Sequence, residues 1–173
     1  MPHLDRRHVS GLLALIVATP LNLPVSAAPA SQAAPASFDV GNRPVILSVH
    51  AEGVQLYECR QEAGGGAVWT FREPIATLIG DGKTIGRHYV GPTWELDDGQ
   101  AVKGKLAASA PGANAGDVPL LKLDVSEHRG VGALSAATLV LRLNTHGGGL
   151  KGACTVAGEL RAEPYSADYL FLR

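Results

Sequence analysis

The chain has 173 residues with 15 Lys and Arg against 16 Asp and Glu, a formal net charge of −1, and 46% hydrophobic residues. That length supports one hydrophobic core rather than two, and a near-neutral balance without a basic cluster excludes the electrostatic footprint of a nucleic-acid binder. With 21 Gly, 11 Pro and only 18% charged residues, many turns and short strands are expected, and the class is all-β.

The N-terminus reads as an address. Arg6-Arg7 supplies a positive start, Gly11 to Ala18 is an apolar run, and Val25-Ser26-Ala27 fits a small-x-small cleavage pattern. Residues 1–27 are therefore expected to be an export signal, with the general secretory and twin-arginine routes both open. A membrane span needs about 20 continuous apolar residues, and Pro20, Asn22 and Pro24 interrupt this run. Residues 28–41, rich in Ala, Pro and Ser, read as a linker, and 42–173 as a single β domain that begins near Phe38 to Pro44. The expected location is periplasmic or extracellular.

Cys59 and Cys154 are the only cysteines. In an oxidising compartment, with no C-x-x-C and no nearby His spacing for a metal, pairing in a disulfide is the simplest outcome. Closing a loop of that size constrains the unfolded chain by roughly 4–5 kcal/mol at most.

Val45–Val49 and Val54–Cys59 read as two strands joined at Glu52-Gly53, with Val54/Leu56 on one face and Gln55/Tyr57 on the other. Val68–Phe71 is a further strand. Ala76–Ile79 and Thr84–Val90 flank Asp81-Gly82, a pair suited to the positive φ of a tight hairpin turn. Gln100–Ala108, Leu120–Val125, Thr138–Leu143 and Tyr165–Leu172 complete the set, with Leu121/Leu123/Val125 and Leu139/Leu141/Leu143 as inward rows and a helical turn expected within Thr155–Leu160. About nine short strands make a single antiparallel β-sandwich or β-barrel with little helix.

The densest chemistry lies in Gly86–Gly99. His88, Tyr89, Trp94 and Glu95 are the candidate binding residues, because aromatic, imidazole and carboxylate groups crowd beside a Gly-Pro corner. Glu95 with Asp98 or His88 could serve a hydrolase, whereas Asp97-Asp98-Gly99 is also an ordinary turn. No serine-hydrolase elbow, dinucleotide fingerprint or metal-ligand spacing occurs, so no metal and no cofactor is implied.

Val54-Gln55-Leu56-Tyr57-Glu58-Cys59-Arg60, Trp69-Thr70-Phe71, His88 to Glu95 with Asp98-Gly99, Arg142 to Gly148, and Pro164 to Tyr169 resemble, in that order, the secreted family catalogued as domain of unknown function 3455. The resemblance spans nearly all of the mature domain. It implies an exported protein with cysteines at the positions of Cys59 and Cys154, and it carries no established activity, ligand or catalytic residue. Three functions stay open: a binding module for a small molecule, glycan or envelope partner, a secreted hydrolase using Glu95, and a structural envelope or matrix module without a site.

Overall fold

The computed structural model describes residues 33–173. The export signal expected over residues 1–27 and the first part of the linker lie outside the described residues. Eight strands follow a 3-10 turn at Ala36–Phe38: β1 (Val45–Gln61), β2 (Ala67–Gly80), β3 (Lys83–Tyr89), β4 (Thr93–Leu96), β5 (Ala101–Ala110), β6 (Leu120–Arg129), β7 (Leu139–Gly147) and β8 (Leu160–Leu172). Each pairs antiparallel with its neighbour in sequence, and β8 pairs with β1, so the sheet closes into a barrel without a free edge strand.

The expected hairpin at Glu52-Gly53 does not form, and the two apolar runs belong to one strand of 17 residues. Gly53 is there for contact rather than for a turn: a Cβ at this position would lie 2.1 Å from the Ile75 carbonyl oxygen on β2. Val68–Phe71 and Ala76–Ile79 likewise merge into β2, which runs through Pro74. That proline faces Gln55 on β1 and no strand on its other side, since β3 pairs with β2 only from Ala76 onward. The Asp81-Gly82 turn forms as expected, with φ of 48° and 71° between the paired Gly80 and Lys83. Thr155–Glu159 holds bends and a turn instead of a helical turn.

Alternation along the strands separates two apolar clusters. The barrel interior holds Val49, Leu78, Trp94, Leu123, Val140 and Phe171 among others. A second cluster lies on the outer face of β6, β7 and β8, where Phe38 covers Leu120, Leu139, Leu141, Leu143 and Leu172. This corrects the inward assignment of Leu139/Leu141/Leu143, which face outward because the segment before β1 shields them from water. The Lys122 ammonium fastens that segment by donating to the Phe38 and Asp39 carbonyls. Tyr57 and Gln55 are buried while Val54 and Leu56 are only half-buried, so over residues 54–57 of β1 the more polar pair faces in.

The two ends differ. At one, the β6–β7 connection folds inward and buries Leu134 and Ala137 in the interior cluster. The Leu134 N–H donates to Gln100 Oε1 at 2.6 Å, and His128 Nε2–H donates to the Ala137 carbonyl at 2.8 Å. At the other end the β7–β8 connection crosses back to β2: Trp69 N–H donates to the Gly152 carbonyl and Cys154 N–H to the Ala67 carbonyl. A disulfide between Cys59 and Cys154 pins this crossing, as expected from the two cysteines. Because β4 has four residues and meets β5 only over Thr93–Glu95, the wall is low between β2 and β5, leaving a notch at the β3–β4 corner.

Outward-facing strand positions carry ion pairs such as Arg87–Glu95 and Lys103–Glu127. No helix among the described residues is long and apolar enough to cross a membrane.

Candidate functional site

Strand periodicity divides the four candidate residues into two pairs on opposite sides of the wall. His88 and Trp94 face each other across β3 and β4 inside the barrel, their rings stacked with centroids 4.6 Å apart. Tyr169 on β8 packs against both, 5.0 Å from His88 and 5.2 Å from Trp94. His88 Nδ1 lies 2.8 Å from the Thr93 carbonyl. A carbonyl can only accept, so the proton sits on Nδ1 and Nε2 keeps its lone pair. Burial pushes the imidazole down to about 3, against the raising effect of the Thr93 bond and with a smaller lowering push from Arg142. His88 is thus neutral in ordinary buffers.

Tyr89 and Glu95 lie outside. The Glu95 carboxylate accepts from the Tyr89 hydroxyl at 2.6 Å and from Arg87 at 3.0 Å, and pairs with Arg129 at 2.7 Å. The Tyr89 hydroxyl, then Arg129, then Arg87 hold it down at about 2. The Arg87 guanidinium also lies over the Tyr89 ring, 5.2 Å from its centroid. These groups border an outer depression of about 590 Å³, but the carboxylate there is already engaged by three donors. Glu95 does not meet His88 across the wall, and Asp98 accepts from the Gln100 backbone and side chain in the β4–β5 turn.

A second set of residues, of which sequence singled out only His88, converges at the open end. A cavity of about 320 Å³ is bounded by Phe71, Arg72 and Pro74 on β2, by Gly91 and Pro92 at the β3–β4 corner, by Val118, Pro119 and Leu121, and by Gln55, Tyr57, His88 and Arg142. Tyr57 donates to the Gly148 carbonyl at 2.7 Å and accepts from Leu150 N–H at 3.3 Å, so it ties the β7–β8 connection to the rim. Its ring meets Phe71 edge-on at 5.7 Å. Beside this cavity a wider depression of about 620 Å³ opens between the β5–β6 and β7–β8 connections, sharing Tyr57, Val118 and Pro119 with it.

The polar groups of this end are incompletely satisfied. Gln55 Nε2, Thr145 Oγ1 and the hydroxyls of Tyr165 and Tyr169 are buried without a hydrogen-bond partner of normal geometry, as is the Trp94 indole N–H within the barrel. The two phenols lie close enough to each other and to Arg142 to influence one another's ionisation, and burial drives both upward, so they stay neutral. Arg142 is 8% exposed. Its Nε–H donates to the Pro119 carbonyl at 3.0 Å, and among the described residues it forms no ion pair. Buried polar groups in native proteins are normally paired, and exceptions gather at sites of function.

Taken together, these features define an eight-stranded up-and-down β-barrel with one sealed end and one mouth lined by apolar walls, Gln55 and the buried Arg142. The chain belongs to the family described as Protein of unknown function (DUF3455), whose model matches residues 40–173. No curated protein and no solved structure matches the chain.

Proposed function

We propose that this protein is an exported, disulfide-tied binding module that takes a small molecule into the barrel mouth. The observation that carries the reading is a cavity of about 320 Å³ lined both by the buried Arg142 and by Gln55, whose Nε2 is buried without a partner. Small-molecule sites are mostly apolar concavities carrying a few polar groups that orient the ligand, and Phe71, Pro92, Val118 and Leu121 supply the walls here. His88 and Trp94 contribute from the barrel interior, as a neutral lone-pair acceptor and the indole stacked on it. Tyr89 and Glu95 brace the same two strands from outside. Export is supported by the disulfide, which persists in oxidising compartments.

The test is a small-molecule thermal-shift screen of the protein and of Leu121→Trp, which fills the cavity. A saturable ligand that stabilises the parent protein and is lost in the filled variant supports the mouth as the site. A screen without any saturable ligand, or a ligand indifferent to the filling, refutes it and favours a structural module.

A further inference from the structure

We infer that the ligand of the mouth is a small organic acid, with its carboxylate on the Arg142 guanidinium and its apolar body against Phe71, Pro92 and Leu121; this rests on the reading of the mouth as a binding site. Arg142 is an inward-facing cation on β7, next to Val140 of the interior cluster in the strand's alternation. It is more than nine-tenths buried and lines the cavity. A buried charge is costly unless paired, yet the groups that feel its field most directly, His88, Tyr57, Tyr165 and Tyr169, are all neutral.

The Arg142 Nε–H is used on the Pro119 carbonyl and a further N–H meets the neutral Tyr169 hydroxyl, so neither contact supplies a counter-charge. A guanidinium offers five N–H donors in a planar fork that matches a carboxylate. Gln55 adds an unpartnered Nε2 donor to the same cavity. Donors thus exceed acceptors at this end, which selects an anion over a neutral ligand.

The walls decide which anion. Arg72, the other cation of the lining, is already paired with Glu73, and Phe71, half-exposed at the rim, and the prolines at 74, 92 and 119 offer nothing to hydrate or bond the remaining oxygens of an inorganic phosphate or sulfate. They suit instead a short aliphatic or aromatic body. A cavity of about 320 Å³ lies at the small end of the range for such sites.

The experiment is calorimetric titration of the intact protein with octanoate and benzoate, each beside its uncharged counterpart, octanol and benzyl alcohol, and with inorganic phosphate. The inference predicts that one of the acids binds about ten- to a hundred-fold more tightly than its alcohol, as expected for a charge-assisted hydrogen bond. In Arg142→Met, which keeps length and apolar volume, that preference collapses towards one. Equal binding of acid and alcohol by the parent protein, or tighter binding of phosphate than of either acid, overturns the inference while leaving the mouth as a binding site. Absence of binding by all five probes, with no hit in the broader screen, overturns both. The acid-to-alcohol ratio is measured on the parent protein, so the outcome stands even if Arg142→Met fails to fold.

Discussion

The two ends of the barrel use similar residues to different effect. At the sealed end the buried Gln100 is fully engaged, accepting from Leu134 and donating to Asp98, while the exposed His128 ties down the Ala137 carbonyl. At the mouth, Gln55 Nε2 and the Tyr165 hydroxyl are equally buried but lack a partner of normal geometry, meeting only each other and Tyr169, and Arg142 has no counter-charge among the described residues. Satisfied burial is what a fold needs to close, whereas unsatisfied burial next to a cavity is what a ligand can relieve. The sealed end is therefore read as architecture and the mouth as the site.

The contrast breaks most readily at its covalent tie. Replacing both Cys59 and Cys154 by Ser is expected to cost about 3–5 kcal/mol in chemical denaturation and to release the β7–β8 connection from the rim. Leu134→Ala should cost about 2–4 kcal/mol, since it empties a fully buried position, and should leave ligand affinity unchanged. Phe71→Ala, at a residue 49% exposed, is the opposite case. It should cost less than about 1 kcal/mol in stability and weaken ligand binding instead.

The interior between the ends should report through pH. His88 has a folded value of about 3 against 6.5 for the free side chain, so between these limits the unfolded chain binds the extra proton. Stability is then full above pH 6.5 and falls with acidification by up to about 1.4 kcal/mol per pH unit. Glu95, held at about 2 against 4.5, adds its own loss only below pH 4.5. Denaturation between pH 6.5 and 4.5 isolates the histidine, and His88→Phe, which preserves the stack on Trp94, should flatten that slope.

Smaller effects sharpen the comparison. Gln55→Met removes a donor without a partner and should change stability by no more than about 1 kcal/mol in either direction, while reducing affinity for an acid. Glu95→Gln on the outer wall should cost about 0.5 kcal/mol, shrinking with added salt, and should not alter binding at the mouth.

Much of the fold was readable from residue order. The Asp81-Gly82 turn and the paired cysteines follow from local chemistry that tertiary context did not override. Gly53 misled because glycine marks both turns and places where strands crowd together, and only the position of Ile75 on β2 separates the two. Leu139, Leu141 and Leu143 were the stronger apolar row on β7, yet Phe38, over a hundred residues or so of chain away, covers them from outside. That reversal turned Arg142 inward and concealed it, since a lone Arg in a leucine-rich strand reads as the solvent face. The same inversion hid Gln55 and Tyr57 on β1. For the Gly86–Gly99 stretch, alternation within each strand separates His88 from Tyr89 and Trp94 from Glu95. Knowing that His88 stands opposite Trp94 requires the geometry of the Val90-Gly91-Pro92 corner, which composition does not reveal.

The most direct measurement is an NMR titration of the isotope-labelled protein with whichever organic acid binds best. The account predicts shifts concentrated at Gln55, Phe71, Leu121 and the Arg142 Nε–H, with His88 and Trp94 responding from the floor and Leu134 silent. Shifts confined to Tyr89, Glu95 and Arg129 on the outer wall, or centred on the sealed end, would contradict it.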